Sequence, residues 1–169
     1  MSETTRTFIA FPMVSFDSIE LEEANDLLMR WGHKMGPCCR GNSRGWSHAL
    51  RHEGRPVAVT VTANLIRERV GGAPWLTRET SVELARLCAE RSNLCRVALR
   101  MWREFVLPTL PYRYAMSYQD ADLHNGNTYR FDGWQRVARA RSGPDTRSGR
   151  PGRDKWVWVW PHNPQVEAQ

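Results

Sequence analysis

Lysine is nearly missing from this 169-residue chain: of 24 basic residues, only Lys34 and Lys155 are lysine. A surface dressed for solubility alone would mix the two cations, whereas arginine offers a planar fork that matches phosphate oxygens bidentately. Cysteine is also scarce, at four residues. Two of them, Cys38 and Cys39, are adjacent in sequence, where bridging is poor. A disulfide-stapled secreted domain is therefore excluded, and a reducing, cytoplasmic setting is expected. No long hydrophobic run exists either. Phe8–Val14 is the longest, far short of the ~20 residues of a helical span, and no basic segment precedes it. No membrane partner is expected. Finally, His33, Cys38, Cys39, His48 and His52 fit no closed structural zinc spacing, so no metal is assigned.

What is present is a strong positive balance, +6 overall. Arg130, Arg136, Arg139, Arg141, Arg147, Arg150, Arg153 and Lys155 crowd into one stretch. Only Asp132, Asp145 and Asp154 oppose them there. A GC-rich coding sequence favours arginine by itself, but the clustering goes further and suits a polyanion such as nucleic acid. The length suits one domain, 1–169, with its own core and with 1–7 and 161–169 flexible.

Hydrophobic spacing gives the element order. Phe8–Phe16 reads as a strand with Pro12 at an edge or bulge, and Ser18–His33 as a helix capped by Asp17 or Ser18. Met35–Gly45 is a loop. Ser47–His52 and Pro56–Ala63 form a hairpin around Glu53-Gly54-Arg55. Arg67–Arg78 reads as a loop, and Ser81–Cys88 as a strand with Val82, Leu84 and Arg86 on one face. Ser92–Leu107 has a helical period ended by Pro108, and Tyr112–Tyr118 is a strand. Asn125–Gly133 is a short helix closed by its glycine. Gln135–Arg141 and Lys155–Trp160 make a last antiparallel pair. This order predicts an α/β fold (α+β), a mixed sheet with flanking helices.

The segment Val82–Trp134 (strand VELARLCA, turn ERSN, helix LCRVALRMW, strand YRYAMSY, then HNGNTYRFDGW) resembles the acyl-CoA-using GNAT superfamily. The strand ELARLC, the Cys95-Arg96 pair and S-Y-Q-D-x-x-x-H-N-G-N-x-Y, from Ser117 to Tyr129, resemble in particular the phage Mom-type DNA-modifying proteins. The resemblance implies splayed strands forming a cleft for acetyl-CoA or a related acyl-CoA. Leu87, Cys88, Ala89, Ser92, Asn93, Leu94, Cys95 and Arg96 would then line it, with the pyrophosphate on the helix N-terminus. It also implies transfer to the exocyclic amine of adenine in double-stranded DNA, which protects against restriction. The Mom-type product is a carbamoylmethyl group, which simple acyl transfer does not give. The usual glycine-rich phosphate loop is missing: Arg91-Ser92-Asn93-Leu94-Cys95-Arg96 stands there, with Asn93 able to supply an αL turn and Arg96 the charge.

Adenine's amine is a weak nucleophile whose proton must be taken, so Asp120 is the candidate base and Tyr129 the candidate donor to the leaving sulfur. Turn chemistry at Asp120 and helix packing at Tyr129 are the plainer readings. Ser117 would orient the amine, and His124 would shuttle a proton or contact phosphate; an ordinary strand hydroxyl and a surface histidine are the alternatives. Arg86 would point into the gap, or be a surface charge, and Glu83 would be a solvated partner for an arginine. Trp46 and Trp75, in loops at the mouth, are candidates to hold an extruded base. Arg147, Arg150 and Arg153 would hold phosphates. Trp156, Trp158 and Trp160 share one sheet face, to cover a helix or to form a stacking platform. Two other functions stay open: a GNAT N-acetyltransferase for a protein or small-molecule amine, and a non-catalytic DNA-binding accessory protein.

Overall fold

The computed structural model of the chain describes residues 13–40, 46–144 and 151–161. Among them run strands β1 (Val14–Ile19), β2 (Ser47–His52), β3 (Arg55–Asn64), β4 (Arg69–Val70), β5 (Ala73–Thr77), β6 (Ser81–Ala89), β7 (Tyr114–Asp120), β8 (Gln135–Ser142) and β9 (Arg153–Pro161). The α-helices are α1 (Leu21–Arg30), α2 (Leu94–Met101) and α3 (Asn127–Asp132). Seven strands form one mixed sheet, ordered β1-β2-β3-β6-β7-β9-β8, and β4-β5 is a separate hairpin. Every pairing in the main sheet is antiparallel except β6 with β7. That parallel pair needs a crossover, which α2 supplies.

Each sheet face has its own core. Ala24, Leu27 and Leu28 of α1 pack on Val59, Val61 and Cys88. On the opposite face Leu99 and Trp102 pack on Val82, Leu84, Ala115, Tyr129 and Trp158. The β4-β5 hairpin covers the α1 face of β7 and β9 through Leu65, Leu76, Met116, Val157 and Val159.

Several expectations need correction. Residues 8–12 lie outside the described residues, and β1 starts at Val14 and runs through Asp17 and Ser18, which pair with Ala49 and His48. Neither can cap α1, which begins after Glu20 without a side-chain cap. The 67–78 segment is a hairpin rather than a loop. Its Gly72, at φ +81°, allows the tip to approach β8, where a Cβ would meet Ala138 at 3.1 Å. The helix at 92–107 is shorter. After Met101 the chain takes a π-helical turn over Trp102–Val106 and a 3₁₀ turn over Leu107–Thr109. Pro108 lacks the N–H that an α-helix would need there, and buried Trp102 donates Nε1–H to Thr62 Oγ1 at 2.8 Å. Pro161 is not tail but the last residue of β9, opposite Tyr114.

The expected alternation along β6 also breaks. Val61 faces Arg86 while Thr62 faces Leu84, so Ala85 is an extra, bulged residue. Val82 and Leu84 face α2, but beyond the bulge that face passes to Leu87, and Ala85 and Cys88 turn toward α1. Arg86 therefore leaves the face of Leu84.

Candidate active site

The two parallel strands are hydrogen-bonded neighbours only at Ser81–Tyr114, Val82–Ala115 and Glu83–Met116. Beyond Glu83 and Met116 they part, and a cleft of about 440 Å³ opens between them, inside the usual range for ligand sites. Its walls include Leu84, Ala85, Leu87, Cys88 and Ala89 of β6, Ser92 and Cys95 at the start of α2, and residues 117–120 of β7. Loop residues 123–126, residues 127–129 in the first turn of α3, Arg153 and residues 31–35 after α1 complete it. Trp31 is the one indole among them, so the gap is open.

Ser117 stands at the fork. Its Oγ donates to the Leu84 carbonyl at 2.9 Å and lies 2.8 Å from the Tyr129 hydroxyl. Leu84 is the first β6 residue past the paired segment, so a side chain replaces the backbone donor that β7 no longer supplies. The Tyr129 ring stacks on Trp158 (centroids 5.7 Å, 18°) and meets Trp134 edge-on at 5.5 Å. Burial pushes its hydroxyl up to about 12, against the lowering effect of the Ser117 hydrogen bond. Packing and a cleft-facing position thus coexist at Tyr129.

The loop before α3 is clasped from beneath. Trp158 Nε1–H donates to Gln119 Oε1 at 2.7 Å, and Gln119 Nε2 donates to the His124 carbonyl. Gly126, at φ +75°, fits between them: a Cβ there would lie 2.5 Å from Trp158 and 2.6 Å from Gln119 Oε1. Asn125 Oδ1 accepts the Asn127 N–H at 3.0 Å, closing the turn into α3. Trp158 stacks on Tyr129 of α3, and Trp160 packs on Gly133 and Trp134 just after that helix, so these two indoles cover the helix and its end. Trp156 instead lies under Arg136 and Arg139, at 4.3 and 5.5 Å.

On the α1 side, the segment after the helix is held at several points. Asn25 accepts from Cys38 N–H and donates to its carbonyl, while Arg86 donates to the carbonyls of Gly36 (3.0 Å) and Pro37 (3.2 Å). Arg86 therefore grips a loop and does not line the cleft, because the bulge turned it away. The segment brings His33 into the wall. Its Nδ1 accepts the Met35 N–H at 3.2 Å, and burial, then Arg86 and His124, lower its pKa to about 4. Asp120 Oδ1 accepts the N–H groups of Asp122 (3.0 Å) and Leu123 (3.2 Å), and Oδ2 lies 3.4 Å from Arg153. Arg153 also reaches the Met35 sulfur at 3.3 Å. It stands at the cleft mouth on a carboxylate, not on an outward phosphate-binding surface. Glu83 is buried, not solvated, and paired with Arg40 at 2.6 Å.

Thus Ser117, Asp120, His124 and Tyr129 share one cleft, as do Leu87, Cys88, Ala89, Ser92 and Cys95. Asn93, Leu94 and Arg96 are not in its lining. Asn93 is right-handed (φ −65°, ψ −25°), not αL. The Leu94 and Cys95 N–H groups already bond to the Arg91 and Ser92 carbonyls at 3.0 and 3.2 Å, and Arg96 rests on Phe131 at 5.2 Å. Cys95 is held protonated by burial and by Cys88, its pKa raised to about 11. Trp46 packs on the core edge-on to Tyr112, and Trp75 sits on the hairpin against Tyr114. Neither reaches the cleft. Arg147 and Arg150 lie outside the described residues. Asn25, and Arg86 as a loop anchor, had no signal in the sequence because their partners are backbone atoms of distant segments, and Gln119 had none because its role depends on the distant Trp158 side chain. Among the described residues no cluster suits a metal ion, and no helix is long and apolar enough to cross a membrane.

No protein-family model and no curated protein matches the chain. Solved structures do. The ribosomal-protein-S18-alanine N-acetyltransferase from Escherichia coli superposes with a TM-score of 0.62 at 16% identity, over 93% of this chain and 99% of that one. An acetyltransferase of the GNAT family from Streptococcus pneumoniae gives 0.57 at 9% identity, over 89% and 100%. A Salmonella typhimurium protein (yncA), solved with its cofactor acetyl-CoA, gives 0.59 at 10% identity, over 92% and 98%. The chain has the GNAT acetyltransferase fold.

Proposed function

We propose that this chain is an acyl-CoA-dependent N-acyltransferase, with the fork between β6 and β7 as its donor site. The observation that carries the reading is the parting of two parallel strands beside a buried tyrosine whose hydroxyl lies at the cleft. The bound thioester, acetyl-CoA or a related acyl-CoA, supplies an activated carbonyl carbon and a sulfur leaving group. The walls fit the slender, amide-bearing part of such a molecule: Leu87 and the neutral thiols of Cys88 and Cys95 are apolar, and the unpaired β6 backbone offers hydrogen-bonding groups. The start of α2 fits a pyrophosphate less well than a glycine loop would, since two of its N–H groups are engaged. Ser92 is the polar side chain that lines the cleft there, with Arg91 next to it in sequence. Tyr129 is assigned proton donation to the departing sulfur, and Asp120 or His124 acceptance of the amine's proton.

For the acceptor, a neutral amine suits this mouth better than an alkylammonium. The carboxylate that lines the rim is already matched to a cation, Asp120 to Arg153. The exocyclic amine of adenine in double-stranded DNA is the acceptor in this class that we favour. Exposed Arg136, Arg139 and Arg141 along edge strand β8 support it as a row of three cations with a single carboxylate, Asp154, shared between Arg139 and Arg141, which leaves a net positive edge for phosphates. An amine on a protein or small molecule is the second reading, favoured by the likeness to an alanine N-acetyltransferase.

The test has two arms. Acetyl-CoA at 100 times its Kd should stabilise the folded protein by about 2.7 kcal/mol in a thermal shift. DNA from cells expressing the protein should carry a new adenine adduct by nucleoside mass spectrometry, absent with Tyr129→Phe. Stabilisation without an adduct assigns the enzyme to another amine. No response to acetyl-CoA removes the donor site.

A further inference from the structure

We infer that Ser117 is a positioning residue with two hydroxyl orientations, one keeping the Tyr129 proton out of the cleft and the other releasing it toward the ligand. The inference rests on the acyl-transfer reading of the cleft.

The argument is a count of protons. A serine hydroxyl has one proton and two acceptor lone pairs. In the structure that proton goes to the Leu84 carbonyl, which can only accept. The 2.8 Å contact with Tyr129 must then be a bond in which Tyr129 donates and Ser117 accepts. In this state Tyr129 presents to the cleft a lone pair, not a proton. Stacking on Trp158 and the edge contact of Trp134 fix the ring, so the phenolic oxygen stays put and only its O–H can turn.

For Tyr129 to donate into the cleft, its O–H must swing away from Ser117. Ser117 can then rotate from Leu84 to Tyr129 and donate to the phenolic oxygen. The pair thus keeps one mutual hydrogen bond in both states with its direction reversed, and the Leu84 carbonyl is released. In the second state the Ser117 proton would stabilise negative charge on Tyr129, in line with its lowering effect on that hydroxyl. During transfer an N–C bond replaces the C–S bond. The Tyr129 proton goes to sulfur, the amine's proton goes to Asp120 or His124, and that acceptor's proton, passed on through solvent in the cleft, restores Tyr129. Ser117 gives up none, so it acts only through Tyr129.

The test compares wild type with Ser117→Ala, Ser117→Thr and Tyr129→Phe. In the free protein, NMR with labelled tyrosine should show a slowly exchanging Tyr129 hydroxyl proton coupled through space to Ser117. Ser117→Ala should lose it and Ser117→Thr should keep it. A signal that persists unchanged in Ser117→Ala overturns the hydrogen-bond order, and with it the inference, whatever the cleft binds. A second readout uses CoA and desulfo-CoA. Wild type and Ser117→Thr should discriminate little between the two, because the new bond to the thiol replaces the one given up at the Leu84 carbonyl. Ser117→Ala should keep its desulfo-CoA affinity, which shows an intact fold, and favour CoA by about fivefold, one hydrogen bond to the thiol from a Tyr129 proton that Ser117 no longer holds. The same preference in wild type and Ser117→Ala overturns the role. Failure of wild type to bind either compound overturns the donor site itself, a result the NMR measurement distinguishes.

Discussion

On the α2 face of the fork, Ser117, Gln119, Tyr129 and Trp158 are tied by short hydrogen bonds and ring stacking, each of them buried. On the α1 face, Asp120, Arg153, Met35 and His33 meet at a half-open rim, held by longer contacts and by loop backbone. The first side is preorganised before any ligand arrives, which suits a step whose geometry never changes. The second is charged, looped and adjustable, where substrate identity is usually written. The fold likeness by itself fixes the chemistry of neither side.

The closed side should break most easily at Gly126. An alanine there combines a left-handed backbone with a Cβ 2.5 Å from the Trp158 ring and 2.6 Å from Gln119 Oε1. The backbone term of about 1 kcal/mol and overpacking of about 2 kcal/mol give roughly 3 kcal/mol of lost stability. Urea denaturation of Gly126→Ala measures it. A loss below about 1 kcal/mol would mean that this cluster repacks freely and the contrast with the rim is unfounded.

The rim should instead respond to pH through His33. Its pKa is about 4 in the folded protein against 6.5 in the unfolded chain. Between those values the unfolded state binds more protons, so stability is full above pH 6.5, declines as pH falls and levels off below 4. The whole effect is about 2 kcal/mol, given some solvent contact. Asparagine can still accept the Met35 N–H. Compared from pH 7 to 4.5, His33→Asn should therefore lose less stability than wild type. Parallel curves would place His33 in solvent and erase its part in the rim.

Much of this contrast is legible in the sequence on one side only. Hydrophobic period located most strands and all three helices, because two faces of the sheet are buried and the pattern records that. Ser117, Asp120, His124 and Tyr129 lie within one short segment, so a local motif could bring them forward together. The bulge at Ala85 leaves no trace, since SVELARLC alternates as an unbroken strand would, and that alternation puts Arg86 on the face of Leu84. The β4-β5 hairpin was hidden by Gly71, Gly72 and Pro74, residues equally at home in a loop. Asn25 with Cys38 and Arg86 with Gly36 are 13 and 50 residues apart, and no local pattern links them. Trp46 and Trp75 show the opposite error: a tryptophan in a loop looks available for stacking, yet Trp46 is anchored on the core.

Asp120 sits where the two sides meet, and two variants separate its possible roles. Asparagine keeps an oxygen to accept from Asp122 and Leu123 N–H but loses the charge facing Arg153; alanine loses both. Two backbone hydrogen bonds at about 1 kcal/mol each, with the ion pair, put Asp120→Ala about 2.5 kcal/mol below wild type. Asp120→Asn should fall by only about 0.5 kcal/mol, the worth of a loosely held ion pair. If the carboxylate takes the amine's proton, Asp120→Asn keeps its stability and acetyl-CoA affinity yet loses about 100-fold in turnover. If Asp120 only shapes the turn, Asp120→Asn turns over like wild type and the whole deficit appears in Asp120→Ala. The second result would make Asp120 part of the clasp that Gln119 and Gly126 form, and would leave His124 as the proton acceptor at the rim.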